Sequence, residues 1–377
     1  MAKAKTPWVD GLWYFENTPN TINDVKGGQV VWKNLTEMDH PGFELSPYVG
    51  SWTHGKYHET SKEIEEKTGA KHYDVEMKHF GGAVTFYGVL GEDGKSAVFL
   101  DFLGQVDTVR YLTPEKLHEL LEDRPHQDSI VPPGCSPQPE NQGKILFLSG
   151  PPGSGKSTTA QFLAREKGFV YYEADCFPSA VDPFVPLDAD EPTLAQMKQK
   201  PIKGKALEDL ECLKESMPEF QKMLKLEPYD VEKTLPMFKS MAKDIVRHKE
   251  RLGGNFAIAQ AVAKRAQREC MKEIFGSQGI FVALRLSKET NKKRLEKRHA
   301  GMAPDKFEMI MGFLNGLYDT FGDTQPGEEN CITVHIGPDD DRQDVMNKIL
   351  KQVDELEASK TKETKVQKTM MMNDDRK

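Results

Sequence analysis

The sequence has few cysteines and no long apolar run. Its five cysteines are scattered, odd in number and free of C-x-x-C pairs, which excludes a disulfide framework or a cysteine zinc site as the organising feature. No stretch approaches the eighteen apolar residues of a membrane span, and the N-terminus carries no apolar core of signal-peptide length. We therefore expect a cytoplasmic protein with reduced thiols and no membrane partner.

Basic residues are scarce in the first part of the chain. Residues 1–142 carry 13 Lys and Arg against 22 Asp and Glu, a net charge of −9, whereas the remainder carries 38 against 37. Such an acidic region repels polyanions, so nucleic acid is not an expected partner there. The length of 377 residues favours two domains, and no internal repeat is visible.

Residues 1–123 predict a β-rich, mostly antiparallel module. Aromatic and β-branched runs at 83–90 and 96–103 predict two strands joined by a glycine-bearing hairpin at 91–95. Similar runs at 29–32 and 106–112 predict two more strands. Thr113 and Pro114 mark the start of a helix that runs to about Glu122. No catalytic pattern stands out in this module.

Half of the ten histidines lie close together in this module, at His40, His54, His58, His72 and His79. The i,i+4 spacing of His54 and His58 is compatible with a metal site. The alternative is a set of ordinary surface or hydrogen-bonded histidines, which the glycine between that pair favours, since it weakens any helix there.

Residues 124–142 are rich in proline and predict a linker. Residues 143–358 then alternate apolar runs with helical segments, the pattern of a parallel five-stranded α/β sheet. The predicted strands are 145–148, 169–172, 255–262, 279–286 and 331–336.

An insertion at 178–254 separates the second and third predicted strands. Its helices, 206–223 and 231–252, carry several methionines and form either an adaptable substrate cover or ordinary core. A last amphipathic helix is predicted at 341–356. Residues 359–377 lack apolar periodicity and predict a disordered tail.

The segment KILFLSGPPGSGKST at 144–158 contains a phosphate-loop pattern, G-x-x-x-x-G-K-[ST], between an apolar strand and a helix. Its glycines let successive N–H groups turn around a phosphate, and the positive end of the next helix points at the same anion. Lys156 supplies charge to the outer phosphates, and Ser157 offers a hydroxyl to Mg²⁺. The loop predicted to bind the nucleoside triphosphate consists of Gly150, Pro151, Pro152, Gly153, Ser154, Gly155, Lys156, Ser157 and Thr158.

Two charged segments follow this loop. Glu173 and Asp175 end the second predicted strand and, on an extended chain, share one face. There they are candidates to hold Mg²⁺ through water and to take a proton from an acceptor hydroxyl, the alternative being two solvated acids. Paired cations at Lys293/Lys297 and Arg294/Arg298 predict a basic helical face. That face either closes over the nucleotide and stabilises the moving phosphoryl group or is simply solvated.

Three segments of the second domain resemble the small phosphate-loop metabolite kinases, gluconokinase-like proteins above all and shikimate and adenylate kinases more distantly. They are GPPGSGKST at 150–158, YYEADCFP at 171–178 and LSKETNKKRLEKRHAGMAP at 286–304. The resemblance covers about residues 143–357 and nothing before them. It implies that ATP and Mg²⁺ bind at Lys156 and Ser157, that Glu173 supports Mg²⁺ through water, and that Asp175 contacts or deprotonates the acceptor. Arg294 and Arg298 would be lid residues.

The chain departs from the usual phosphate-loop kinase pattern in two places. The third predicted strand ends near Gln260 rather than at an acid, so the usual second magnesium-supporting acid is missing, as it also is in gluconokinase-like enzymes. The insertion at 178–254 is much larger than in gluconokinases, which leaves the substrate open.

Three functions remain open from the sequence. The first is an ATP-dependent kinase acting on a hydroxyl of a small-molecule acceptor, which needs mainly positioning and charge neutralisation from the protein. The second is a polynucleotide or RNA-end kinase, which the acidic N-terminal part disfavours. The third is a nucleotide-binding regulatory switch with the N-terminal module as its effector surface.

Overall fold

The residues described by the computed structural model are 8–16, 18–36, 49–54, 64, 66, 73–79, 84–91, 93–100, 106–132, 143–178, 181–185, 187, 202–224, 226–261, 264–301, 304–320 and 328–374. The side chains of the histidine-rich stretch at 40–79 lie outside this description, so the metal site considered there stays a hypothesis.

Eight antiparallel strands of the N-terminal module close into a barrel in sequence order. They are β1 (Gly11–Phe15), β2 (Thr18–Lys26), β3 (Gln29–Asn34), β4 (Val49–His54), β5 (Tyr73–His79), β6 (Val84–Leu90), β7 (Ser96–Leu100) and β8 (Val106–Tyr111). Strand β8 pairs back onto β1, with Trp13 opposite Tyr111. The predicted β-rich antiparallel module is confirmed. Four of its strands and its closure are additional to the prediction.

Alternate residues of the barrel strands form two separate apolar clusters. Trp13 packs in one cluster with residues of strands that are not its neighbours, such as Leu90 of β6 and Phe99 of β7, so this face is the interior. Tyr14, the next residue along β1, instead packs against leucines of helix α1 (Pro114–Glu122). The Thr113 side chain caps this helix by accepting from the backbone N–H of Lys116 at 3.2 Å. The helix predicted at this position is thus confirmed.

The C-terminal domain is an α/β fold built on a parallel five-stranded sheet. Its strands are β9 (Ile145–Ser149), β10 (Val170–Glu173), β11 (Phe256–Ala259), β12 (Gly279–Arg285) and β13 (Cys331–His335). They lie in the order β10-β11-β9-β12-β13, and each neighbouring pair is parallel. All five predicted strands are confirmed to within three residues at each end.

Helices cover both faces of this sheet. They are α2 (Lys156–Lys167), α3 (Leu207–Leu224), α4 (Leu235–Leu252), α5 (Arg265–Phe275), α6 (Lys288–Arg298), α7 (Pro304–Thr320) and α8 (Arg342–Asp374). Residues of α2 and α8 form the core on one face, and residues of α4 and α5 form the core on the other. Among the described helices, none combines the length and apolar character needed to cross a membrane.

The methionine-bearing insertion helices belong to the core. Met217 of α3 and Met237 and Met241 of α4 are at most 1% exposed, and α4 lies against the sheet through Phe238 and Ile245. The substrate-cover interpretation of these helices is therefore wrong, because their apolar faces are already buried.

The last helix runs further than the sequence suggested. Helix α8 continues to Asp374, so the prediction of a disordered tail is wrong over 359–374. Its first turns are fixed by buried Val345, Met346 and Ile349. The rest is rich in Lys, Glu, Gln and Met, which propagate a helix once it has nucleated, even without an apolar stripe.

The first part of the predicted linker is packed against both domains. Arg124 is buried and donates to the carbonyl of Leu35 at 3.1 Å. The backbone around His126 pairs with Lys203 of the insertion, and Ile130 is buried in the core of the C-terminal sheet. The linker prediction is therefore wrong for residues 124–132. Proline-rich composition did not reveal that one isoleucine anchors the segment.

Because this segment is docked, alanine substitutions at two neighbouring apolar residues should differ in their effect on stability. Ile130→Ala should lower the stability of the C-terminal domain by about 2–4 kcal/mol, because it empties a buried site. Val131, 46% exposed, serves as the control, since Val131→Ala should change stability by less than about 0.5 kcal/mol. Denaturant melts of both full-length variants measure this, and equal effects would contradict the docking.

Candidate active site

The phosphate loop connects the central strand β9 to helix α2 and leaves little room for side chains. A Cβ on Gly150 would lie 2.7 Å from the carbonyl oxygen of Leu284, and its φ of +153° disfavours other residues. The Ser154 hydroxyl is buried in the loop and, among the described residues, finds no hydrogen-bond partner. A buried donor of this kind is accounted for by a ligand or water that enters the loop.

Lys156 is the point at which several predicted site residues meet. Its Nζ donates to the carbonyls of Gly150 and Pro151 at 2.9 and 3.1 Å. Burial lowers the pKa of its ammonium group to about 8, while Asp175 and Glu173 act in the opposite direction and Arg298 adds to the lowering. Both strand-end acids and Arg298 therefore lie close enough to Lys156 to influence its charge.

Glu173 is connected to the first turn of α2 through a tyrosine. The Tyr171 hydroxyl donates to the Glu173 carboxylate and is also hydrogen-bonded to the side chain of Ser157. Burial, together with the charge of Glu173, raises the pKa of Tyr171, so it stays a protonated donor. Sequence reasoning missed Tyr171. Its position two residues before Glu173, on the same strand face, was the available signal.

The sequence predicts that the two strand-end acids lie on one extended segment, but in the structure they do not. Strand β10 ends at Glu173, and residues Ala174–Cys176 form one turn of 3₁₀ helix. Glu173 is therefore buried at 3% exposure, whereas Asp175 is exposed. The prediction of one common extended face is wrong. The turn nevertheless gives the acids different surroundings, one enclosed and one open to a second substrate.

Helix α6 packs directly on the phosphate loop. Asn291 donates from Nδ2 to the carbonyl of Pro152 at 2.8 Å, and Leu295 lies 3.0 Å from where a Cβ on Gly153 would be. Sequence reasoning missed Asn291. The signal was its i,i+4 spacing from Leu295 in an otherwise charged helix, which puts both on one face.

The predicted lid cations occupy the outer side of the same helix. Lys293, Lys297 and Arg298 are exposed and Arg294 is half-buried. Arg298 acts on Lys156, whereas Arg294 acts on Asp340, in the loop after β13. Of the two arginines, Arg298 is thus the one whose charge lowers the pKa of the loop lysine.

Gln260 follows β11, the strand between β9 and β10. It is 7% exposed, and its Oε1 has no hydrogen-bond partner in the described part of the chain. The carbonyl oxygen is therefore available to a water molecule or hydroxyl at this edge of the sheet. An amide at this position supplies a hydrogen-bond acceptor without a negative charge.

No group of three or more His, Cys, Asp or Glu residues that could hold a metal occurs among the described residues. The hydroxyl of Ser157 and the carboxylates of Glu173 and Asp175 are hard oxygen donors. Mg²⁺ is typically held by one or two carboxylates together with waters and substrate phosphates. The chemistry of this donor set fits Mg²⁺.

Solved structures similar to this chain are small kinases. A gluconokinase from Sinorhizobium meliloti 1021 is 17% identical, with a TM-score of 0.36, covering 58% of this chain and 94% of that chain. A sugar kinase from Janibacter sp. HTCC2649 is 19% identical, with a TM-score of 0.37, covering 56% and 95%. The shikimate kinase from Aquifex aeolicus vf5 is 13% identical, with a TM-score of 0.26, covering 56% and 96%. At these scores the likeness says nothing about substrate.

Comparison of sequences adds little. No family model matches the chain. Chromosome transmission fidelity protein 18 of Saccharomyces cerevisiae is 31% identical over 94 residues, 23% of this chain. The chain spans only 13% of the length of that protein, so its chemistry has to be derived from its own residues.

The lowered pKa of Lys156 predicts how triphosphate binding depends on pH. Bound phosphates raise this pKa again, so binding takes up a proton wherever the free lysine is neutral. ATP affinity should be flat up to about pH 8 and then fall, by at most about tenfold per pH unit. Calorimetry between pH 7 and 10 measures this. Lys156→Ala should bind weakly without that slope, and a flat wild-type profile would contradict the prediction.

Proposed function

We propose that this protein is an ATP-dependent kinase that transfers the γ-phosphoryl group to a hydroxyl of a small-molecule metabolite. The observation that carries the proposal is the geometry of the phosphate loop, in which Lys156 donates to the carbonyls of Gly150 and Pro151 and Tyr171 connects Glu173 to Ser157. Phosphoryl transfer to an alcohol requires a cation that binds phosphate, acids that hold the metal and accept a proton, and a second cation, here Arg298, that stabilises charge on the transferred phosphoryl group.

The nucleotide is held by the loop from Gly150 to Thr158. Its N–H groups surround the phosphates, the Ser154 hydroxyl donates to them, and Lys156 exchanges its two carbonyl partners for the outer phosphate oxygens. Ser157 and, through water, Glu173 and Asp175 would hold Mg²⁺, which would neutralise charge on the phosphates.

The acceptor approaches the exposed Asp175. This carboxylate accepts the proton of the acceptor hydroxyl as its oxygen bonds to the γ-phosphorus and the bond to ADP breaks. Arg298 and Arg294 stabilise the charge on the transferred group. The reaction therefore leaves ADP, a phosphate monoester and a protonated Asp175, which returns its proton to water.

A small acceptor fits the charge distribution better than a nucleic acid, because residues 1–142 have a net charge of −9. The cytoplasm is the proposed compartment. The described cysteines Cys176, Cys212, Cys270 and Cys331 are free thiols, which suits a reducing environment.

The function is tested by incubating the pure protein with γ-labelled ATP and a metabolite extract, followed by mass spectrometry of the labelled product. A labelled small phosphate ester that depends on protein and extract supports the proposal. Label on added oligonucleotide ends instead indicates a polynucleotide kinase. ATP binding without transfer to any acceptor indicates a switch protein.

The two strand-end acids should respond differently to neutral substitution. Asp175→Asn should lower turnover by about 10²–10⁴-fold with nearly unchanged ATP affinity, because it removes the proton acceptor and keeps the side-chain shape. Glu173→Gln should mainly weaken Mg²⁺ binding, so that half-maximal turnover needs more Mg²⁺, and lower turnover only partly at saturating metal. Mg²⁺ titrations of both variants measure the contrast. Near-normal turnover of Asp175→Asn would overturn its role.

Tyr171 and Tyr172 are adjacent on β10 but lie on opposite faces. Phenylalanine substitutions at these two positions therefore provide a test and a matched control for the proposed metal-supporting role of Glu173. Tyr171→Phe removes the donor that holds Glu173 and should raise the Mg²⁺ concentration needed for half-maximal turnover about three- to tenfold. Tyr172→Phe removes a hydrogen bond to Asp244 on the other face and should lower thermal stability without moving that Mg²⁺ concentration. A Mg²⁺ shift in both variants, or in neither, would contradict the role of Tyr171.

A further inference from the structure

Lys205, near the start of the insertion, is a cation buried against an aromatic ring. It is 5% exposed, and its Nζ lies 3.7 Å from the centroid of the Phe177 ring. Burial lowers the pKa of this ammonium group, while the negative charges of Asp244 and Asp209 raise it. A cation–π contact is strongest where both partners are out of water, so Lys205 and Phe177 hold each other in place.

Phe177 closes the turn that carries Asp175. Residues Ala174–Cys176 form one turn of 3₁₀ helix, and the backbone N–H of Phe177 donates to the carbonyl of Ala174 at 3.1 Å. The Phe177 side chain is buried, whereas Asp175 is exposed. Because an exposed side chain is placed mainly by its own backbone, the position of the Asp175 carboxylate depends on this turn.

The backbone just before Lys205 is held from the side of the barrel. Thr36, which follows β3 and is fully buried, donates from Oγ1 to the carbonyl of Ile202 at 3.3 Å. In the docked segment, the carbonyl of Pro125 accepts from the backbone N–H of Lys203 at 2.7 Å. Lys203 lies two positions before Lys205. The barrel and its docked segment therefore fix the start of the insertion.

We propose that the N-terminal barrel positions the proton-accepting end of the active site, with Lys205 as the connecting residue. The barrel holds the backbone before Lys205, Lys205 holds Phe177, and Phe177 closes the turn that presents Asp175. The inference rests on the proposed function, in which Asp175 accepts the proton of the acceptor hydroxyl. The phosphate loop lies outside this series of contacts, so breaking one of them should lower turnover and leave ATP affinity unchanged.

The first test measures hydrogen exchange of the Phe177 amide, which requires no acceptor and no activity. Lys205→Met keeps the length of the side chain and a contact with the ring but removes the charge. In the full-length protein it should speed exchange of this amide about tenfold and lower turnover by a similar factor, at unchanged ATP affinity. Lys203→Met is the matched control and should change neither quantity, because Lys203 contacts the docked segment through its backbone. Equal exchange rates in the two variants would overturn the role of Lys205.

A second amide distinguishes this effect from a general loss of stability. Leu163 of α2 is fully buried on the opposite face of the sheet, so exchange of its amide reports opening of the whole domain. This rate should not change in Lys205→Met. If it rises as much as the rate of Phe177, the substitution only destabilises the domain and the proposal is overturned. If Phe177 alone responds and the wild type phosphorylates no acceptor, the proposed function fails while the positioning role of Lys205 is supported.

The second test asks whether the barrel contributes to this positioning. Thr36→Val removes the hydroxyl that donates to Ile202 and nearly keeps the shape of the side chain, so it should speed exchange of the Phe177 amide by roughly threefold or more. Thr113→Val is the matched control. It removes the cap of α1, a hydrogen bond within the N-terminal module, and should leave that rate unchanged. Equal rates in these two variants would overturn the role of the barrel.

Discussion

The C-terminal domain depends on the desolvated positive charge of Lys156. Two carbonyls of its own loop accept from the ammonium group, yet burial still lowers its pKa to about 8. A cation held in this way is incompletely compensated, so the proposed phosphate ligand would stabilise it further. The tight backbone at Gly150 and the packing of Asn291 against Pro152 both serve to keep this lysine in place.

The features that were predictable from the sequence are those encoded in contiguous residues. The strand–loop–helix around the phosphate loop follows from an apolar run, a glycine pattern and a helical segment that are adjacent in the chain. Both helices of the insertion follow from local periodicity in the same way. Contacts between distant segments left no such signal. Asn291 meets Pro152 across 139 positions, and barrel closure pairs β8 with β1.

The wrong predictions share one physical cause, which is that composition describes the average of a segment and not its anchors. Residues 124–132 have the proline content of a linker, yet buried Arg124 and Ile130 fix them to the two domains. Residues 359–374 lack an apolar stripe, yet they continue a helix that Ile349 and Val353 already hold against the sheet. In each case a few buried side chains determine the structure of a much longer segment.

Strand β10 connects the candidate active site to the attachment of the barrel. On one face, Tyr171 holds Glu173. On the other, the Tyr172 hydroxyl donates to Asp244 at 2.5 Å, and Asp244 also accepts from Gln127 of the docked segment at 2.5 Å. Displacing that segment must break a buried hydrogen bond or move Asp244 with it, and Asp244 is fixed to the strand that ends at Glu173. The position of Glu173 and the docking of the barrel are therefore constrained by the same four-residue strand.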